Sequence, residues 1–584
     1  MIDYLNPFEY EAANKFKFDQ ILEFYIEDFN YSRFVQSRRN VFLVGERGTG
    51  KTMTLLFNSL PVQLKKAENA GTSVSLELIC IYVPCNTPLT HKTEYALMDE
   101  FQGKVISEHF LVISILFAVA DTLALVPHLL DGADIGAIQR ELDYILGIKL
   151  PTGADLFEAL KLAIQKENRE AQTAINAKKL QAFYENARSF STGVLPLLST
   201  IRRIPKLQDS HFVIMLDDAH DLNESQVRTL NSWIAYRDNS LFSFKIATTK
   251  VGRPPFLTAT GGAILEGHDF TLVDMELPYQ NKYSNFGKLA REIVQKRLDK
   301  IGVSKVKPDQ FFPTSSEFEQ DLRACEERVK REAEARLPGA TAKQIGDYVY
   351  KRARAAYFRE RSARANRPPY SGFDTLVHIS TGVIRNLLEP CYWMYDKVVS
   401  ENRAKGLQES RVVEIPASIQ TEIILERSRK KWDWIRDGFD KSVDGCSRVD
   451  ADHIFRLFDN LAILFRERLL HHESEPRAIA FTISGSEFSE HPKLMHLLQI
   501  ARKAQILYTY TSSAKDSGRR EVYYVPNRIL WPDRGLDPHG QHAMVSIKAR
   551  DLWAAASDNR KIPFDPADKN EATEYQEEGY LFHG

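Results

Sequence analysis

The stretch that decides the fold is Gly45-Glu46-Arg47-Gly48-Thr49-Gly50-Lys51-Thr52. It fits the pattern G-x-x-x-x-G-K-S/T, whose glycines let the backbone curl until successive N–H groups point at phosphate oxygens. The apolar run 40–44 before it predicts a strand, and residues 53–57 after it predict the opening of a helix. Lys51 can then reach the β- and γ-phosphates and the Thr52 hydroxyl can ligate Mg²⁺, while the helix start adds partial positive charge. The motif and its flanks therefore predict a nucleoside triphosphate site.

A second apolar run, 212–216, ends in the acidic pair Asp217 and Asp218. Five consecutive apolar residues suit a strand that is buried on both faces of a parallel sheet. The carboxyl edge of such a sheet is where α/β proteins bind ligands, so we assign Asp217 to Mg²⁺. Asp218 is the candidate for orienting or activating the attacking water. Capping of the next helix is the alternative for this residue.

Further strands are predicted at 78–84, 241–247 and 270–277. The strand at 241–247 ends in polar residues that can touch the γ-phosphate or its water. Thr249 is our choice for that contact and Thr248 a close second, although residues of this kind also serve simply to turn the chain at a strand end.

A candidate arginine lies far downstream of these strands. A turn ending at Gly382 precedes a predicted helix that carries Arg385 in its first turn. From there the side chain can reach a γ-phosphate across a domain interface. An arginine at a helix start is more often solvated, so its position after the nucleotide core is what singles it out.

Length and composition bound the remaining possibilities. At 584 residues the chain predicts two to four domains, and a net charge of -1 requires any nucleic-acid surface to be local. The N-terminus has no signal-peptide pattern. Asp121 and Pro127 interrupt the most apolar run, 111–130, which favours a buried helix over a membrane span. We expect a cytoplasmic protein without a membrane partner, with His539 and His542 at its surface.

The motifs together resemble those of the AAA+ ATPases, and most closely the clade of origin-recognition and helicase-loader initiators. The resemblance rests on Walker A, Walker B, sensor 1, sensor 2 and an opening Asn-Pro-Phe, which are residues 45–52, 212–220, 248–249, 382–385 and 6–8. It implies an α/β fold, with a P-loop AAA+ core in which helices cover both faces of a parallel sheet. It also implies a helical lid, helical insertions and a C-terminal winged-helix-like domain. The implied cofactors are ATP and Mg²⁺. Arg385 would contact the γ-phosphate, and the protein would act as a homo-oligomer or in a hetero-complex.

The sequence departs from that family in three places. Asp218 stands where the family has Glu, and the stretch 85–210 is far longer than one helix requires. The arginine finger is undecided between Arg253 and Arg237. In addition, the strand tip at 248–250 is similar to the T-T-R tip of STAND signalling ATPases, with Lys in place of Arg. The alternative function is therefore a slow-turnover ATP-binding sensor or scaffold in a bacterial defence cassette.

We expect three regions along the chain: an AAA+ core, a helical lid and a C-terminal winged-helix-like domain with an acidic tail, over 1–280, 281–400 and 401–584. The core carries a helical insertion at 90–207, which is either a partner-binding subdomain or a cover for the sheet. The lid carries a charged insertion at 298–369.

Two basic segments could bind the phosphate backbone of double-stranded DNA. One is the strip 343–367, for which a solvated charged helix is the alternative reading. The other is a polar turn between predicted strands at 504–510 and 521–526, with the cations Lys515, Arg519 and Arg520. The expected function is thus a Mg²⁺-dependent ATPase that acts as a switch or loader on DNA or on a protein effector.

Overall fold

The computed structural model describes residues 6–9, 13–27, 31–87, 90, 92, 94–95, 98–151, 155–177, 187–236, 240–251, 256–276, 285–363, 368–407, 411–471, 478–484, 491–513, 520–540 and 544–564. The chain divides into two compact units. The first unit is residues 11–276, and the second unit is residues 1–10 together with 277–584. The opening residues thus group with the later part of the chain rather than with the predicted core.

The described part of the first unit contains a five-stranded parallel sheet. Its strands are β1 (Val41–Val44), β2 (Leu78–Pro84), β3 (His211–Asp217), β4 (Phe242–Thr248) and β5 (Thr271–Asp274), in the order β2-β3-β4-β1-β5. The strands predicted from the sequence are confirmed. The register pairs Val41 with both Lys245 and Thr271, and Pro84 with Asp217. This brings the carboxyl ends of β1, β3 and β4 to one edge.

Helices cover both faces of this sheet, as the resemblance implied. They are α1 (Phe18–Phe24), α2 (Ser32–Val35), α3 (Lys51–Asn58), α4 (Leu60–Ala70), α5 (Glu100–Ala124), α6 (Ile135–Leu146), α7 (Leu156–Asn176), α8 (Val194–Ile201) and α9 (Glu224–Ile234). Short 3₁₀ turns occupy Ala13–Lys15, Pro205–Leu207 and Ala219–Asp221. Alternate strand residues enter two separate cores, because successive side chains of a strand point to opposite faces. Ile214 belongs to the core with α5, and Met215 to the core with Leu55 of α3.

The long apolar helix α5 lies within the larger of those cores. Its length and composition would allow it to cross a membrane, and no other described helix meets that test. Most of its apolar window is buried, with Leu111 and Ile115 among the core residues, so it is a core helix here. Asp99 starts it by accepting a hydrogen bond from the Gln102 N–H. The described part of the 90–207 insertion therefore includes a cover for the sheet.

The second unit is largely helical in its described part. Its helices are α10 (Asn285–Lys300), α11 (Pro308–Phe311), α12 (Ser316–Arg336), α13 (Ala342–Ala363), α14 (Phe373–Ile379), α15 (Ile384–Ala404), α16 (Ala417–Asp437), α17 (Phe439–Ser442), α18 (Arg448–Leu470), α19 (Pro492–Lys503) and α20 (Ala549–Ser557). Short 3₁₀ turns occupy Arg528–Leu530 and Pro532–Arg534. The opening Asn-Pro-Phe belongs to this unit because Phe8 packs against Phe312 and Tyr395, and Arg297 donates to the Pro7 carbonyl.

A four-stranded sheet stands near the end of the second unit. Its strands are β6 (Ala480–Ser484), β7 (Leu507–Ser513), β8 (Arg520–Pro526) and β9 (Met544–Lys548), in the order β7-β8-β6-β9. The predicted helix at 492–503 and the antiparallel pair β7 and β8 are present. The sequence prediction missed β6 and β9, which pair in parallel. Lys515 and Arg519 lie outside the described residues, as does the predicted acidic tail.

A buried polar cluster in this unit corrects two predictions. Arg354, placed in the DNA-binding strip, makes a bidentate ion pair with Asp537, with both distances 2.8 Å. His539, expected at the surface, is buried and lies 2.8 Å from the same carboxylate. Arg361 of the strip likewise pairs with Glu317. The Arg354 pair ties a helix to the loop that holds the buried Asp537, whereas the Arg361 pair lies nearer the surface because the Glu317 carboxylate is mostly exposed.

Candidate nucleotide site

The phosphate loop connects β1 to α3 in the conformation that its glycines predict. Gly48 and Gly50 have φ values of 91° and 98°, which a side chain would strain. A Cβ on Gly45 would stand 3.0 Å from the Thr49 hydroxyl oxygen, so the loop closes tightly on itself. The Gly45 N–H donates to the Thr248 carbonyl at 3.2 Å, which fixes the start of the loop to the end of β4. Backbone N–H groups of this turn and of the α3 N-terminus can therefore receive an anion.

Lys51 lies buried inside the loop rather than extended into solvent. Its ammonium donates to the Gly45 and Glu46 carbonyls at 2.6 and 3.0 Å. Burial lowers its pKa, and the carboxylates of Glu46 and Asp217 act in the opposite direction. An ammonium that donates hydrogen bonds to two backbone carbonyls can exchange these for phosphate oxygens, which are stronger acceptors because they are charged.

Asp217 stands at the carboxyl end of β3 as an almost fully buried carboxylate. Burial and the neighbouring Asp218 raise its pKa to about 6, while the Tyr82 and Thr52 side chains lower it. The Tyr82 hydroxyl donates to Oδ2 at 2.8 Å, and the Asp218 N–H donates to Oδ1 at 3.0 Å. Within the described residues this buried carboxylate forms no ion pair, which fits a bound Mg²⁺, and Thr52 offers a hydroxyl beside it. The sequence did not indicate Tyr82, because it comes from a neighbouring strand.

Asp218 is half-buried and adopts left-handed backbone angles, with φ 52° and ψ 39°. Its Oδ2 accepts a hydrogen bond of 2.8 Å from the Asn86 side-chain amide just beyond β2. It does not cap the following turn with its side chain. His220 follows closely, and within the described residues neither of its ring nitrogens has a hydrogen bond. Burial lowers the pKa of His220, and the positive charges of Arg47 and Lys51 lower it further. The carboxylates of Asp221 and Asp218 act in the opposite direction. The sequence had given no reason to select Asn86 or His220.

The polar side chains after β4 make hydrogen bonds and ion pairs within the first unit. Thr249 is buried, and its hydroxyl donates to the Val251 carbonyl at 3.0 Å. The Lys250 ammonium pairs with Asp274 at 2.7 Å and with Glu276 at 2.8 Å. The lysine that suggested a likeness to STAND proteins is thus directed to the end of β5.

Arg385 is the second residue of α15, and the turn before the helix contains Thr381 and Gly382, which have φ values of 53° and 75°. The predicted turn and helix are therefore present. Among the described residues of its unit, Arg385 has no hydrogen bond or ion pair. It belongs to the second unit, so its action on a nucleotide is a proposal. Arg253 and Arg237 lie outside the described residues.

These features define a class of protein. A parallel sheet with a phosphate loop, a buried strand-end aspartate and a polar strand tip at one edge is the core of a P-loop nucleoside triphosphatase of the AAA+ type. A family model described as ORC-CDC6-like matches residues 6–345 and 340–547. The chain belongs to this ORC-CDC6-like family, whose members are AAA+ ATPases.

Two solved structures align with most of the chain. The ORC1 protein of Aeropyrum pernix, in complex with DNA, is 12% identical with a TM-score of 0.27 over 92% of this chain and 94% of its own. Cdc6p from Pyrobaculum aerophilum is 11% identical with a TM-score of 0.26 over 94% of this chain and 96% of its own. Likenesses this distant carry nothing about function. No curated protein matches the chain in sequence.

Proposed function

We propose that this protein is a Mg²⁺-dependent ATP-binding and hydrolysing AAA+ protein. It acts in the cytoplasm as a nucleotide-controlled switch or loader on DNA or a protein partner. The observation that carries the proposal is the buried pair Lys51 and Asp217 at the mouth of the phosphate loop. Each is a charge taken out of water at a cost, and a Mg²⁺–triphosphate ligand compensates both.

The residues divide the work by chemistry. The backbone of 45–52 and Lys51 bind phosphates, and Thr52 and Asp217 hold Mg²⁺, which neutralises phosphate charge when bound. Asp218 orients the attacking water, and the Thr249 hydroxyl can exchange the Val251 carbonyl for the γ-phosphate or that water. Arg385 carries the nucleotide state to the second unit, as a lid residue on the γ-phosphate, and hydrolysis releases that contact.

Steady-state ATP turnover tests the hydrolytic part of this function. Asp218→Asn has the same shape and keeps an oxygen that can accept from the Asn86 amide, but it removes the charge that orients water. Turnover should therefore fall roughly 100-fold, while the affinity for ATP stays the same. Equal turnover in Asp218→Asn and the wild type would remove Asp218 from the mechanism. A matched change at an exposed carboxylate, Glu68→Gln, serves as the control.

A second candidate function is a switch with very slow turnover, the sensor or scaffold of the alternative prediction. The observation that favours it is the short Asp218 side chain, already held by Asn86. One ATP that stays bound for hours, with no response of turnover to duplex DNA, would support this candidate. A rate that rises strongly with DNA or with self-association would support the loader.

For DNA we propose contact through exposed cations of α13 and through Lys515, Arg519 and Arg520, of which the first two lie outside the described residues. Arg354 no longer belongs to that surface, because it pairs with the buried Asp537, and the charge of Arg361 is offset by its ion pair with Glu317. Lys351 is exposed, and Arg352 beside it stacks on the Tyr348 ring at 4.0 Å. Binding through phosphates would be sequence-independent and would weaken steeply with salt.

A further inference from the structure

Glu46, the second residue of the phosphate loop, has contacts that phosphate binding alone does not require. It is buried, with its Oε1 accepting hydrogen bonds of 3.1 Å from both the Lys250 and the Val251 N–H. In the sequence it occupies a variable position of the motif. Its side chain therefore runs from the phosphate loop to the turn that follows β4.

A network of charged side chains, Lys250, Asp274 and Glu276, also binds the Glu46 backbone. The Glu46 N–H donates to Glu276 Oε1 at 2.9 Å, and Glu276 Oε2 pairs with Lys250 at 2.8 Å. Lys250 also pairs with Asp274, whose Oδ1 accepts the Glu276 N–H at 2.9 Å. Burial and Glu276 raise the pKa of Glu46, while the two N–H donors lower it. The carboxylates of Asp274 and Glu276 thus pair with the Lys250 ammonium, while the Glu46 carboxylate binds the backbone of the same turn.

The turn held by Glu46 is the same turn that holds Thr249. Val251 donates its N–H to Glu46 and accepts the Thr249 hydroxyl at its carbonyl, at 3.0 Å. A displacement of the phosphate loop therefore acts on the partner of Thr249 through one residue. Phosphate binding by Lys51 would cause such a displacement. The Lys51 ammonium would then lose its hydrogen bond of 3.0 Å to the Glu46 carbonyl.

We propose that Glu46 is a positioning residue that couples occupancy of the phosphate loop to the strand tip bearing Thr249. The inference rests on the proposed nucleotide function and deepens it. Glu46 keeps the Val251 turn in register with the loop, so that Thr249 becomes available to the terminal phosphate when a nucleotide is bound. Lys250, Asp274 and Glu276 form the support that keeps the Glu46 backbone in place.

Hydrogen–deuterium exchange on the full-length protein tests the coupling without requiring turnover. Mg²⁺ with a non-hydrolysable ATP analogue should protect peptides spanning 43–52 and 246–251 in the wild type. In Glu46→Ala the first peptide should stay protected, whereas the second should exchange roughly tenfold faster, because two N–H groups lose a charged acceptor. Glu46→Gln retains an oxygen acceptor and should restore most of the protection. Glu68→Ala, at an exposed glutamate of the same unit, is the control.

The outcomes separate the coupling from the nucleotide function. Unchanged protection of 246–251 in a Glu46→Ala protein that still binds the analogue overturns the coupling and leaves the nucleotide function standing. Absence of analogue binding by the wild type overturns both. Loss of protection throughout the first unit, in the apo form as well, shows a merely structural role and also overturns the coupling.

A double-mutant cycle adds a kinetic test. If Glu46 acts through Thr249, Glu46→Ala should lower kcat roughly 10-fold to 100-fold in the wild type and have little further effect in Thr249→Ala. The Kd for ATP should change much less than kcat. Equal fold losses in both backgrounds would show that Glu46 acts independently of Thr249, against the proposal.

Discussion

At the scale of single residues, the proposed nucleotide site contains the buried charged side chains of Glu46, Lys51 and Asp217. Asp217 has both carboxylate oxygens engaged, by the Tyr82 hydroxyl and by the next N–H. Both donors orient the carboxylate, and because they lower its pKa they favour the ionised form that a metal ion needs. In the proposed Mg²⁺ site, Tyr82 would therefore affect the affinity of Asp217 for the ion without contacting the ion itself.

Tyr82→Phe removes that hydroxyl and leaves the ring in place. The concentration of Mg²⁺ needed for half-maximal ATP binding should rise roughly tenfold, while nucleotide binding without Mg²⁺ should stay the same. Fluorescence titration of a labelled ATP analogue at several Mg²⁺ concentrations measures both. An unchanged Mg²⁺ requirement would mean that Tyr82 only fills space.

The residues that sequence alone could select are those fixed by local spacing. Lys51 and Asp217 follow from a motif and from the end of an apolar run. Tyr82, Asn86 and the partners of Glu46 could not be selected, since the pairing of β2 with β3 and the turn after β4 bring them in. That register is a property of the folded sheet and leaves no short pattern in the chain.

At the scale of elements, α13 illustrates why charge counting overstated a binding surface. The helix contributes Arg354 to a buried ion pair and Arg361 to the adjacent α12, so part of its positive charge is neutralised internally. The ion pair between Arg354 and Asp537 connects the loop after β8 to α13. Its helical nature was predictable, but its partners were not, because Asp537 lies 183 residues further along.

Arg354→Ala should lower the stability of the second unit by about 3 kcal/mol, since it leaves Asp537 buried without its main partner. Urea unfolding followed by tryptophan fluorescence measures the change, as every tryptophan except Trp233 lies in that unit. Arg323→Ala, on the exposed side of α12, is the control and should be nearly neutral. Equal stability in Arg354→Ala and the wild type would contradict the assigned role of the ion pair.

A charge-reversal pair tests the DNA surface at the same scale. Lys351→Glu with Arg352→Glu should weaken duplex binding and reduce its salt dependence, while ATP affinity stays the same. Lys65→Glu with Lys66→Glu on α4 changes the net charge equally and should leave binding closer to wild type. Fluorescence anisotropy with a labelled duplex at several salt concentrations is the measurement. An equal loss of duplex affinity in the two double variants would show that only the net charge of the protein matters, against the proposed surface.

At the scale of the whole molecule, the two units carry different kinds of buried polar groups. The first holds charges that a ligand can neutralise, and the second holds His378 and His539 inside its core. Burial lowers the pKa of both histidines, and Arg528 near His378 and Arg354 near His539 act in the same direction. Arg528 donates to His378 Nδ1 at 2.9 Å. This places the ring proton on Nε2, the nitrogen that faces Asp374, and disfavours a metal ion between them.

The second unit should therefore lose stability in mild acid. The unfolded chain takes up protons near the ordinary histidine pKa of 6.5, and the folded unit does not. Stability is full above that pH and should fall below it by about 1.4 kcal/mol per pH unit for each histidine. Urea unfolding at pH 7.5 and 5.5 measures the fall, which His378→Asn should reduce and His496→Asn, at an exposed site, should not. A pH-independent midpoint would contradict this account.

The central claim is that the chain binds Mg²⁺–ATP through its phosphate loop, and isothermal calorimetry tests it most directly. The wild type should bind one ATP per chain, more tightly with Mg²⁺ than with EDTA. Lys51→Ala should weaken binding at least tenfold, because a charged phosphate contact is lost. Lys65→Ala, at a surface lysine in α4, should bind as the wild type does. No binding of Mg²⁺–ATP by the wild type, or equal affinity in Lys51→Ala, would contradict the account.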